Sequence, residues 1–151
     1  MSKQWYTNKE NTKIIKHIKD NVYNYIRHIE DAKGDEILWT CFKSDIPVLK
    51  GKGYTKSHLS CNCRSTNEYS SRKVLIYLVN RYVHPGIQKY FNQVGIVVNN
   101  ELYALSEMIQ WIWRSRIRNG ESIDIYIPCD RMRELLEKWL DNGFNDLMKQ
   151  E

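Results

Sequence analysis

Between residues 9 and 32, apolar side chains recur at helical intervals: Ile14, Ile15, Ile18, Val22, Ile26 and Ile29, with lysines and carboxylates between them. That spacing predicts an amphipathic helix, ended near Gly34. The pattern then changes. "EILWTCF" (36–42) is dense in β-branched and aromatic residues and reads as a short strand, and a second is expected around "HLSCN" (58–62). A wholly polar stretch, 64–72, precedes "KVLIYLV" (73–79), which is apolar on both faces, as a buried parallel strand would be.

The second half alternates in the same way. "HPGIQKYFNQVG" (84–95) predicts a helix with Pro85 in its first turn and Gly95 at its C-terminus. Residues 101–118 predict a longer helix with Leu105, Ile109, Ile112 and Trp113 as its apolar stripe. "SIDIYIP" (122–128) reads as a strand, and "DRMRELLEKWLDNGF" as a terminal helix capped by Asp130. Strands alternating with helices imply one α/β domain with a mostly parallel sheet. Its expected core strands carry Val74, Leu75, Ile76, Leu78, Ile123, Ile125 and Ile127. The division read from the pattern is an N-terminal amphipathic helix (1–34) followed by the α/β domain (35–151).

Composition narrows the class. With 42% hydrophobic and 27% charged residues, the 151-residue chain is globular, long enough for a real core. No apolar run approaches the ~20 residues of a membrane span, and the N-terminus lacks the apolar stretch of a signal peptide. A cytoplasmic protein of the host cell, with no membrane partner, is therefore expected. A net charge of +5 mildly favours an anionic partner.

Candidate chemistry is sparse. Cys61, Cys63, His58 and Cys41 or Cys129 could be drawn into a metal site, but C-x-C lacks the spacing of structural zinc ligands, so buried thiols are expected and no metal or cofactor. "GKGYTKS" (51–57) fails as a phosphate loop, since Lys56-Ser57 follows a threonine instead of a glycine. No acidic pair for magnesium is present. The chain is thus not expected to be an enzyme. The stretch "QWIWRSRIRNG" (110–120) is the exception: Arg114, Arg116 and Arg118 fall beside Trp111 and Trp113. Gln110, Arg114 and Arg118 stand four apart, on one face if the helix continues, and guanidinium forks suit phosphate oxygens. A solvated basic helix end, favoured by the helix dipole, is the alternative.

On these residues a resemblance enters. "CNCRSTNEYSSRKVLIYLVNRYVHP" and "LYALSEMIQWIWRSRIRNGESIDIYIPCDRMRELLEKWL" resemble the C-terminal, second RecA-like domain of DEAD/DEAH-type superfamily 2 helicases carried by phages and mobile elements. The resemblance covers roughly residues 36–140 and implies a single three-layer RecA-like domain behind the N-terminal helix. It sets Arg64, Ser65, Thr66, Asn67 and Glu68 in the loop that in those helicases follows a strand and touches nucleic acid and nucleotide. Gln110 and Arg114 match the helicase pattern Q-x-x-G-R-x-x-R. Trp113 replaces its glycine, Ile117 occupies the place of its second arginine, and Arg118 lies one residue later. The implied function is binding of nucleic acid (DNA or RNA) or of a helicase or replication partner, without ATPase activity except by completing one in trans. The alternative is a phage-encoded inhibitor that blocks a host anti-phage defence nuclease complex by protein contact, in the manner of an anti-CRISPR protein.

Overall fold

The computed structural model describes residues 5, 6, 8–63 and 67–143, leaving aside the side chain of Lys9. Three parallel strands, β1 (Ile37–Thr40), β2 (Val74–Tyr77) and β3 (Asp124–Tyr126), pair in that spatial order, with β2 in the centre. Accompanying them among the described residues are α1 (Thr12–Asn24), the single turn α2 (Ile46–Leu49), α3 (Pro85–Gln93), α4 (Asn100–Ile112) and α5 (Asp130–Asn142).

Alternation along the strands separates two cores. Ile37, Trp39, Val74, Ile76 and Leu78 face α1, whose Ile15, Ile18 and Val22 are buried against them, together with Ile26 from the π-helical turn that extends it. Leu38, Leu75, Tyr77 and Val79 face the opposite way, onto Leu105, Met108 and Trp111 of α4 and Met132, Leu135 and Leu136 of α5. The N-terminal helix is therefore one of the three layers, because its apolar stripe has this sheet face to cover.

Four expectations need correction. The segment around His58 does not form a strand; it pairs with β1 through one parallel bridge, Trp39 to His58. The helix expected over 101–118 stops at Ile112. Its last turn tightens, with Arg114 N–H donating to the Trp111 carbonyl and Ser115 N–H to that of Ile112, and the buried Ser115 hydroxyl also takes the Ile112 carbonyl. Cys129, not Asp130, precedes α5, and Asp130 instead pairs with Arg133 in the first turn. Finally, Ile125 lies on an edge strand and is half-buried, since nothing pairs with the outer side of β3 among the described residues.

The bridge at His58 reveals the winding. Leu49 and Tyr54, between β1 and His58, belong to the α1 side, whereas Leu59, Cys61 and Tyr69, between His58 and β2, belong to the α4 side. The chain thus changes face between β1 and β2, the switch of a doubly wound sheet, whose carboxyl ends are the usual place for a cleft.

Candidate functional site: two poles of the sheet

At the amino ends of the strands, two segments that lead into β2 and β3 are stitched together. The Arg118 guanidinium donates to the Asn67 side-chain oxygen, the Asn119 amide to the Ser70 carbonyl at 3.1 Å, and the Arg116 N–H to the Arg72 carbonyl at 3.1 Å. Gly120, in the left-handed region with φ 79°, turns the chain toward β3. Arg116 also donates through Nε to the Ser122 carbonyl, and Arg72 to the Gly34 carbonyl at 3.3 Å while lying over the Tyr69 ring. These contacts use neutral oxygens. Among the described residues, Arg72, Arg114, Arg116 and Arg118 are in no ion pair with a carboxylate. The charges of Arg72, Arg116 and Arg118 are held in place but not cancelled among the described residues.

Of the residues singled out in the sequence, Asn67 and Arg118 are in direct contact. Gln110 and Arg118 are exposed and Arg114 is half-buried, with its Nε enclosed and without an acceptor among the described residues. Because α4 ends at Ile112, these three do not share one helix face. Arg64, Ser65 and Thr66 lie outside the described residues. Glu68 is described and follows Asn67 into the turn before β2, so this loop precedes a strand, unlike the helicase loop it resembles, which follows one. Arg72 and Arg116 were not among the singled-out residues. Their signal was present, Arg116 in the arginine run and Arg72 at the end of the polar stretch before β2.

The "GKGYTKS" loop lies at the same pole and is occupied with its own packing. Tyr54 is buried and donates to the Leu49 carbonyl at 2.6 Å, and the Ser57 hydroxyl donates to the Gly34 carbonyl at 2.6 Å. A Cβ at Gly51 would stand 2.6 Å from the Tyr54 ring, so glycine there makes room for the tyrosine. A cleft of about 500 Å³ opens between this loop, Asp35 and Arg72.

At the carboxyl pole one arginine is paired with a carboxylate and another is held by neutral oxygens. Arg81 pairs with Glu107 at 3.0 Å and touches the Tyr103 hydroxyl. Arg131 donates to the Asn80 side chain and the Arg81 carbonyl, each at 2.9 Å, and covers the Tyr82 ring at 4.3 Å. A cleft of about 490 Å³ lies beside them, lined by Phe42, Tyr82, His84, Ile87 and Tyr103. The signal for this pole was the polar run "NRYVHP" directly after β2.

Burial sets the state of the thiols and of His58. Desolvation pushes Cys41 up to about 12, helped by Asp45, and also raises Cys61. Burial holds His58, edge-to-face against Trp39, below the ordinary imidazole range, opposed by a backbone hydrogen bond at Cys41. No group of three or more metal-ligating side chains occurs among the described residues, and none of the described helices is long and apolar enough to cross a membrane.

Comparison with known proteins completes the picture. The SPbeta prophage-derived uncharacterized protein YonV of Bacillus subtilis (strain 168) is 50% identical over 142 residues, which is 94% of this chain but 34% of that protein. The chain thus spans about a third of the length of this relative. No solved structure matches. A family model described as the YonV C-terminal Rossmann-like domain matches residues 1–140, covering all three layers of the sandwich. The description names a Rossmann-like fold and no helicase. With α1, the parallel sheet, α3, α4 and all but the last two residues of α5 inside that match, the chain belongs to the family of YonV C-terminal Rossmann-like domains.

Proposed function

We propose that this domain is a phage-type module that binds the nucleic-acid backbone through the amino-pole face built from residues 67–72 and 113–119. One observation carries the reading: four arginines from two interlocked segments have no carboxylate partner among the described residues, whereas at the other pole Arg81 and Arg133 are paired with carboxylates and Arg131 is held by neutral oxygens. Uncancelled guanidinium groups on a rigid frame suit phosphate oxygens and release counterions when they meet a polyanion. The prophage origin of the relative fits such a role. Among the described residues the face shows no helix laid open along one side to read bases, which favours backbone recognition without sequence preference. No catalysis is assigned to the chain. A partner helicase or replication protein would act on the same nucleic acid. The alternative, a protein that blocks a host defence nuclease, would draw on the carboxyl pole instead of the arginines.

The test is fluorescence anisotropy of a labelled DNA duplex against salt. Four phosphate contacts give a slope of about −3.6 in log K against log salt, so raising salt from about 50 to about 200 mM weakens binding on the order of 100-fold. Arg118→Ala and Arg116→Ala should each reduce the slope by about 0.9. Absence of salt-dependent binding, or variants that keep the full slope, would remove the reading.

A further inference from the structure

Helix α3 has no buried residue. Ile87 is 50% exposed and Tyr90 63%, and in the loop that follows Val94, Ile96 and Val97 are 56%, 50% and 90% exposed. Tyr82, just before the helix, is 50% exposed. Scattered apolar residues on a surface mean little, but six large exposed ones within sixteen consecutive positions are a concentration of the kind found at interaction sites. A nine-residue helix is also marginal in water when no apolar face of it is packed. The cleft lined by Phe42, Tyr82, Ile87 and Tyr103 adjoins this surface and offers a recess for a side chain.

Two observations bear on what covers it. The prophage relative has about two-thirds of its length outside the part shared with this chain, and the family is named for a C-terminal domain. The amino end of the shared domain lies at the carboxyl pole, where the Tyr6 hydroxyl donates to the Leu78 carbonyl at 3.0 Å, just past the end of β2. Polypeptide preceding the domain therefore arrives at the pole that carries residues 82–97. Tethering there raises the effective concentration of a docking segment to roughly millimolar values.

We infer that the apolar face of Tyr82, Ile87, Tyr90, Val94, Ile96 and Val97 is the seat of the region that precedes this domain in the prophage relative, docked there in cis. The occupant presents an apolar surface with an inserting side chain, because the exposed side chains of this face are apolar, while Arg81 is paired with Glu107 and Arg131 is held over the Tyr82 ring by neutral oxygens.

Hydrogen–deuterium exchange compares this chain alone with the full-length prophage relative. The stretch matching 85–97 should exchange at least tenfold more slowly in the full-length protein. Ile87→Lys with Val97→Lys should leave the melting temperature of this chain nearly unchanged, since both side chains already face water, and that outcome shows the variant folds. The matching pair in the full-length relative should abolish the protection. Equal exchange in the two proteins would overturn the inference. So would concentration-dependent protection of 85–97 in this chain alone, with light scattering reporting a dimer, because a second copy would then be the occupant. The arginine face lies at the opposite pole, so either result leaves the nucleic-acid reading standing or falling by its own salt titration.

Discussion

Ile76 and Ile125 look equivalent in the sequence, each at the middle of an apolar strand, but truncating them should have unequal costs. Ile76 is fully buried on the central strand, between β1 and β3 and beneath α1. Its removal leaves an enclosed void that neighbours on three sides cannot fill, so Ile76→Ala should cost about 4 kcal/mol, in the upper part of the range for buried aliphatic truncations. Ile125 is half-buried at the edge and lines a groove of about 290 Å³ with Trp113, Ile117, Ile123, Leu136 and Trp139. Cutting it back widens a groove that water already reaches, so the cavity contribution falls away. The transfer contribution of a half-buried side chain remains, roughly 1–1.5 kcal/mol. For a domain of this size the two variants should melt about 10 °C and about 4 °C below the parent. Urea unfolding followed by fluorescence of the five tryptophans measures both. Equal costs within about 0.5 kcal/mol, or a larger cost at Ile125, would refute the edge placement of β3 and show that its outer side is covered.

Thiol accessibility offers a second check: a maleimide at neutral pH should modify half-buried Cys63 first, while buried Cys41, Cys61 and Cys129 wait for unfolding. Cys41, pushed up to about 12, should remain unreactive even at pH 9 in the folded protein. A third concerns acid. His58 titrates lower in the folded than in the unfolded chain, so the unfolded state takes up its proton first. Its contribution is therefore fully present above the unfolded value of about 6.5 and is lost as pH falls below it. Stability measured from pH 7.5 down to pH 5 should decline more steeply in the parent than in His58→Phe, and parallel curves would exclude His58 as the cause. A fourth is that the purified chain, with or without DNA, should hydrolyse ATP no faster than buffer in a phosphate-release assay, since the "GKGYTKS" loop spends its hydroxyls on backbone carbonyls.

Much of the layer structure was legible in the sequence because it depends on local period. The stripe Ile15, Ile18, Val22 and Ile26 could only be a helix with one buried side, and it covers a sheet face. The run 73–79, apolar on both sides, could only be a strand with helices above and below, and β2 is central. The arginine run 114–118 was also visible, as a residue type suited to phosphate, whereas Arg72 was not singled out. What tertiary structure decided were the features set by partners distant in the chain. Where α4 ends is settled by a buried Ser115 and by the docking of 116–119 onto 67–72, contacts some fifty residues apart that no helical period encodes. Likewise, "HLSCN" has strand-like residues but only one bridge, because the outer side of β1 offers it no longer ladder. Whether an arginine is cancelled or left free is the same kind of question. Arg81 and Arg118 each follow a strand or helix in a polar run, but only the fold brings Glu107 to one and neutral Asn67 to the other. Periodicity reports which side of an element is buried, whereas charge pairing, edges and ends depend on what the rest of the chain brings to that side.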